Sequence, residues 1–381
     1  MNTNIKKRFS HNQTESPNLN FIQNWIELSK SAVEHNARQF KSWLGPDTQI
    51  AGVIKSNAYG HGLLEISKLY QECENIHFIC VINTSEALNI RLHGVNKPII
   101  TIGYIDIDYD LIVQHNIQVA LYDISIAQKL NETGKKHNQK ISVHIKFDTG
   151  MSRLGVVASE LEEFVKSIES LPFLKIQGVF SHFAQSYNKE ETHKQEDVFN
   201  HACIQKYTRH ISNSHGSLTT KYKSYQLARI GTGLYGYLQK ETPENQTLLL
   251  PVLSLKAKIL QIKKISAGKS IGYDGMYTTS SDMTIAVIAI GYGEGLDMRL
   301  SNRGSVIING QKASIVGRVC MNLIMVDISN IKNCLVEQTV TILGKEGKTS
   351  ISAYDWAEIT KATANIHLTN LSENLSRIIV E

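Results

Sequence analysis

The chain has 381 residues, 42% of them hydrophobic, with 40 basic against 35 acidic side chains and a net charge of +5. That length exceeds the usual range for one compact core and predicts two domains. No apolar run reaches the roughly 18 residues a membrane span needs, and the polar opening has no signal-peptide core. The five cysteines form no CxxC pair and leave one over, which argues against a disulfide framework or a metal site and for a reducing, cytoplasmic setting. The densest basic stretch, Lys129 to Lys140, has no interleaved aromatic residues and reads as a solvated helix end rather than a nucleic-acid footprint.

Residues 1–18 are polar and poorly patterned, which predicts a flexible tail. Asn24 to Ser29 reads as a strand, and 31–43 alternates at helical spacing. Short β-branched runs follow near 49–54, 77–82, 98–102, 117–121, 141–147, 175–181, 209–213 and 224–230, most of them separated by amphipathic helical stretches. Eight strands alternating with helices over about 200 residues match a (β/α)8 barrel, although an open doubly wound sheet has the same local signature. The barrel is assigned to 19–251. After about Pro251 the runs become β-rich, with turn signals at Asn309-Gly310 and Gly344 to Gly347, and helical periodicity returns only at 353–363. A smaller, mainly β domain is assigned to 252–381.

Chemistry-bearing residues fall where those runs end. Lys55 closes the first; Lys146, Asp148 and Arg153 follow the fifth; His182 closes the sixth; Ser214 follows the seventh; Arg229, Gly231 and Thr232 close the eighth. In a barrel, carboxyl ends of strands converge on one mouth, and the loops after the seventh and eighth strands commonly hold a phosphate. The Ser214 hydroxyl and the Gly231-Thr232 N–H groups suit a phosphate dianion. A lone lysine at a strand end ordinarily marks where the chain meets solvent. Partly buried, it would be a nucleophilic amine able to form a Schiff base with pyridoxal phosphate.

Eight stretches carry a resemblance. They are Val53-Ile54-Lys55-Ser56-Asn57-Ala58-Tyr59-Gly60-His61-Gly62, Lys146-Phe147-Asp148-Thr149-Gly150-Met151-Ser152-Arg153-Leu154-Gly155, Phe180-Ser181-His182-Phe183-Ala184, Ser212-Asn213-Ser214, Arg229-Ile230-Gly231-Thr232-Gly233-Leu234-Tyr235-Gly236, Ile271-Gly272-Tyr273, Ile290-Gly291-Tyr292-Gly293 and Val316-Gly317-Arg318-Val319-Cys320-Met321. In this order and spacing the chain resembles the bacterial alanine racemase family. The resemblance implies a barrel followed by a β domain, pyridoxal 5'-phosphate as cofactor, and interconversion of L- and D-alanine to supply D-alanine for the cell wall. It implies a homodimer in which Tyr273 and Met321 of one subunit complete the other's barrel site.

By the same resemblance Lys55 carries the cofactor and serves one face of the substrate α-carbon, while Tyr273 serves the other. Arg153 and the Met321 backbone N–H take the substrate carboxylate. Tyr59, His182, Ser214, Arg229, Gly231 and Thr232 contact the cofactor, and Tyr292 and Arg318 support the site. Lys146 matches a lysine that is often carbamylated and holds the arginine. Inversion needs two acid–base groups flanking one carbon, and a phenol with a pKa near ~10 needs a cationic neighbour to act as a base. An arginine beside the ring nitrogen cannot accept a proton and keeps that nitrogen neutral.

The chain departs from the family's pattern in several places. Asn322 stands where aspartate is usual, Ser186-Tyr187-Asn188 replaces an acidic position, Met298 stands for a common arginine, and no tyrosine follows Tyr354. These changes leave open a racemase of broader or different specificity, for serine or lysine. A non-catalytic pyridoxal phosphate carrier is the third reading, and Tyr273 and the β domain count against it.

Overall fold

The computed structural model describes residues 21–202, 205–220, 225–238 and 248–381; the tail assigned to 1–18 lies outside them. Two units are distinguished. One holds Ser31–Ala58 and Ile66–Leu250; the other holds the described residues up to Lys30, with Tyr59–Glu65 and Pro251–Glu381.

The first described elements are strand β1 (Asn24–Ser29) and the helix Lys30–Leu44, followed by the strands of the first unit. These are β2 (Gln49–Val53), β3 (Phe78–Asn83), β4 (Ile99–Tyr104), β5 (Ile117–Leu121), β6 (Ile141–Asp148), the two-residue β7 (Val156–Val157), β8 (Leu174–Phe180), β9 (Thr208–His210) and β10 (Leu227–Ile230). Eight of them form a parallel sheet in the order β10-β2-β3-β4-β5-β6-β8-β9, with β7 off the edge of β6. An N–H···O bond of 3.0 Å from Arg229 to the Ser212 carbonyl links its two ends. This is the expected (β/α)8 barrel rather than an open sheet.

Local chemistry explains the elements. β2, β5 and β10 are almost wholly buried, as strands covered on both faces must be. The helix Leu161–Glu169 buries Leu161, Val165 and Ile168, spaced at four and three residues along one face. The helix Ile124–His137 is capped at its start by the Asp123 carboxylate, which accepts from the Ser125 and Ile126 N–H groups, and ends on the left-handed Asn138.

The second unit is mainly β. Its strands are β11 (Leu253–Ile265), β12 (Met283–Ile288), β13 (Ser305–Ile308), β14 (Gln311–Ser314), β15 (Ile324–Asp327), β16 (Thr339–Glu346), β17 (Thr349–Ile351) and β18 (Ser376–Val380), with helices at Ala353–Thr360 and Ala364–Thr369. β1 lies in this sheet between β11 and β18, in the order β14-β13-β16-β11-β1-β18. Asn309 and Gly310, both at positive φ, make the predicted tight turn between β13 and β14. Asp355 and Ser352 form a reciprocal cap at the start of Ala353–Thr360.

Candidate active site

Lys55 follows β2 by two residues and is half-buried. Burial and then Arg153 hold its amine below the usual lysine range, Glu86 pulls the other way, and Arg229 adds to the lowering. The chain leaves it through a left-handed turn: Ser56, Asn57, Ala58 and Tyr59 all have φ between 52° and 55°. For L-residues this conformation costs roughly 1 kcal/mol each, and such strain persists where neighbours enforce it. Glu86 is one enforcer. Its carboxylate accepts from the N–H of Ser56 at 2.7 Å and of Ile82 at 3.0 Å.

Gly60 ends the turn in the second unit at φ 87°, and a Cβ there would lie 1.8 Å from the Leu368 carbonyl oxygen, so no other residue fits. Its own carbonyl accepts 2.9 and 3.3 Å bonds from the Arg377 guanidinium.

β6 carries Lys146, buried beside Phe180 with its ammonium 4.6 Å from the ring centroid. Burial, Arg229 and Arg153 push this amine down to about 7, so it is partly neutral at physiological pH. Asp148 then folds the following loop by accepting from the Gly150 and Met151 N–H groups, both at 2.8 Å. Burial opposes its ionisation, but these N–H donors prevail and hold its carboxyl below the usual range. The loop presents Arg153 to solvent.

Arg229, on β10, is buried among carbonyls and imidazoles. Its guanidinium donates to the carbonyls of Ser181 at 2.6 Å, His210 at 2.8 Å and Ile211 at 3.4 Å, and to the Nδ1 atoms of His210 at 2.9 Å and His182 at 3.3 Å. Burial lowers its pKa to about 10, so it stays charged. Both histidines are held well below the usual imidazole range, by burial first and Arg229 second. Ser214 Oγ accepts from the N–H groups of Gly231 and Gly233, each at 3.1 Å. Its hydroxyl proton remains to be donated, which is the disposition an anion requires.

Lys55, Lys146, His182, Ser214, Arg229, Gly231 and Thr232, with the Arg153 loop, therefore belong to the carboxyl end of one barrel. Tyr59 falls at the start of Tyr59–Glu65 in the second unit. Tyr273, Tyr292, Arg318 and Met321 occupy three loops of that unit. Tyr292 N–H donates to the Cys320 carbonyl at 3.0 Å and Gly293 N–H to that of Met321 at 2.7 Å. A Cβ on Gly291 would sit 2.2 Å from the Cys320 oxygen, so the loops can approach only at a glycine. Arg318 pairs with Asp274, the neighbour of Tyr273. Tyr273 is 65% exposed and Met321 56%.

The model of the alanine racemase N-terminal domain matches residues 28–239, and that of the C-terminal domain matches 252–379. An alanine racemase of Syntrophobacter fumaroxidans is 34% identical over 344 residues, 88% of this chain and 92% of the relative.

The chain belongs to the alanine racemase family.

Among solved structures, an alanine racemase of Clostridium difficile superposes with a TM-score of 0.87 at 30% identity, covering 95% of this chain and 96% of that one. The alanine racemase of Bartonella henselae, described with covalently bound pyridoxal phosphate, has a TM-score of 0.80 at 26% identity and covers 94% and 100%. The donor set of the barrel fits the cofactor of this family. An amine of lowered proton affinity suits its aldehyde, a cationic donor that cannot accept suits an unprotonated ring nitrogen, and a hydroxyl with a proton to give suits its phosphate. Among the described residues no group of His, Cys, Asp and Glu could hold a metal ion, and no helix is long and apolar enough to cross a membrane.

Two of the departures from the family's pattern have structural roles. The Asn322 carboxamide donates to Glu294 at 2.8 Å, and the other Glu294 oxygen accepts from the Gly291 N–H; an aspartate could not make that bond without a proton. Asn188 accepts from the Glu190 and Glu191 N–H groups at the start of the helix Lys189–Ala202, where a cap is needed. Glu86, His144, His210 and Gln118 were not anticipated. For Glu86 there was a signal, since Asn83 three residues earlier is a helix cap. For the other three there was none.

Proposed function

We propose that this protein interconverts L- and D-alanine at the mouth of the barrel, with pyridoxal 5'-phosphate held through Lys55. The observation that carries this reading is Lys55, an amine whose proton affinity is lowered by burial and by Arg153 and Arg229, at the same strand ends as the Ser214 hydroxyl. The bound cofactor supplies an electron sink for the substrate's α-carbon. The protein does the rest. Lys55 moves a proton at one face of that carbon and Tyr273 at the other. Arg153 and the Met321 N–H hold the substrate carboxylate, with Lys146 supporting Arg153. Ser214, Gly231, Thr232 and Tyr59 would hold the phosphate, and Arg229, beside His182, would face the ring nitrogen as a donor that cannot accept a proton. Tyr292 and Arg318 brace the loops bearing Met321 and Tyr273.

The exposure of Tyr273 and Met321 supports a homodimer in which these loops complete the site of a second copy. We place the protein in the cytoplasm, where its four described cysteines, all unpaired, would stay reduced, and assign it the supply of D-alanine for the cell wall.

The test mixes Lys55→Ala with Tyr273→Phe chains. Each homodimer is expected to be inactive, and the hybrid to recover activity because one of its sites is intact. Hybrid dimers without activity would contradict the shared site, and wild-type protein that exchanges no α-proton of alanine in D2O would contradict the function.

A further inference from the structure

From Arg229 a line of hydrogen bonds runs away from the mouth into the barrel. Arg229 Nη1 lies 2.9 Å from His210 Nδ1, His210 Nε2 lies 2.9 Å from His144 Nδ1, and His144 Nε2 lies 2.8 Å from Gln118 Oε1. The two imidazoles meet edge to face at 5.0 Å between centroids, and His210 stacks on Phe180 at 4.8 Å. Both histidines are almost completely buried, and burial holds the second of them, His144, neutral down to about 3.

Such a line has only one consistent arrangement of protons. A guanidinium can only donate, so His210 Nδ1 must accept and its Nε2 must carry the proton. That proton makes His144 Nδ1 an acceptor, which puts the second imidazole proton on Nε2, where it needs an acceptor. The Gln118 carbonyl oxygen is that acceptor.

We propose that Gln118 is a positioning residue: as a neutral acceptor at the end of the line, through His144 and His210, it keeps in place the one proton arrangement in which His210 accepts from the Arg229 guanidinium. This rests on the proposed role of Arg229 at the cofactor's ring nitrogen. A carboxylate in place of the carboxamide would stabilise an imidazolium at His144. His144 Nδ1 would then donate, His210 would have to carry its proton on Nδ1, and that proton would point at Arg229. The conflict would be delivered to the guanidinium from a residue on β5 that touches neither substrate nor cofactor.

The experiment records long-range proton–nitrogen spectra of the holoenzyme labelled with [15N]histidine, assigned with single histidine variants. Both His144 and His210 are expected to be neutral with the proton on Nε2; a charged ring or an Nδ1 proton at either would overturn the proposal. Gln118→Glu is expected to charge His144, move the His210 proton, and lower kcat about tenfold with KM for alanine within about twofold. Gln118→Leu removes the acceptor without adding a charge and is expected to cost less kcat and leave both tautomers in place. Equal losses in the two variants with unaltered tautomers would reduce Gln118 to a packing role and overturn the proposal. Should Gln118→Glu fail to fold, the wild-type tautomers decide it. Absence of alanine racemisation by the unaltered holoenzyme, with the tautomers as stated, would instead strike the proposed function alone.

Discussion

The Arg229 guanidinium reaches His210 twice, donating to its ring Nδ1 at 2.9 Å and to its backbone carbonyl at 2.8 Å. One buried cation therefore ties β10 to β9 and sets the tautomer of an imidazole. Arg229→Leu would leave the Ser181 carbonyl without its donor in a buried site and take from the His210 carbonyl one of its two. The expected loss is about 3 kcal/mol, read by urea denaturation of the cofactor-free protein. A loss under about 1 kcal/mol would mean that water replaces the guanidinium.

Lys146 makes stability depend on pH. Its folded pKa of about 7 lies below the ordinary 10.5, so between those values the unfolded chain binds more protons than the folded one. Stability from this group therefore rises with pH across that window, and below about 7 the cost of burying the charge is fully felt. Lys146→Met is expected to stabilise the protein more at pH 6.5 than at pH 9.5. An equal effect at both values would show that the buried amine is not the source.

The same neutral amine is able to add carbon dioxide and release a proton, giving a carbamate whose negative charge would lie among Arg153, Arg229 and Lys55. Incubation with 13C-bicarbonate at pH 8 is expected to produce a carbamate resonance that Lys146→Met abolishes. If the resonance persists in that variant, another amine carries the group.

Asn322→Asp would set two carboxylates in contact where Asn322 now donates to Glu294. The expected cost is about 1 kcal/mol at pH 8. It should shrink toward pH 4, where a protonated carboxyl can donate as the carboxamide does. Thermal melts at the two pH values check this, and a variant more stable at pH 8 than the natural chain would refute it.

Lys97 caps the helix Leu63–Glu72 by donating to three carbonyls, Tyr70 at 2.7 Å, Cys73 at 2.6 Å and Ile76 at 2.5 Å. Lys97→Met keeps the stem and loses all three bonds. A loss of about 2 kcal/mol is expected, with no change in the cofactor's absorbance; a shifted absorbance would place Lys97 in the site's electrostatics.

The barrel was legible because its strands fall in short apolar, partly β-branched runs and most of the gaps show a helical period, both properties of neighbours along the chain. The position of Lys55 was legible on the same ground, since a charged residue that ends an apolar run marks a strand mouth. The Asn309-Gly310 turn follows from what those two residues tolerate at positive φ. The partner of β1 was not legible. Its alternation says that Asn24–Ser29 is a strand, but not that it pairs with β11 and β18, more than 200 residues away.

The line from Arg229 to Gln118 shows the boundary most sharply. Its four side chains sit on β10, β9, β6 and β5, and steps of 19, 66 and 26 residues separate them in the chain. Nothing in local pattern marks a histidine as facing another histidine. Residue order alone settled the alternation of elements and the ends at which reactive groups emerge, because those depend on backbone conformation and hydrophobic period. Which side chains meet inside the barrel, which nitrogen of each imidazole holds its proton, and how far the lysine amines lose their affinity for protons were settled by closure of the sheet. Closure excludes water and leaves buried groups to satisfy one another.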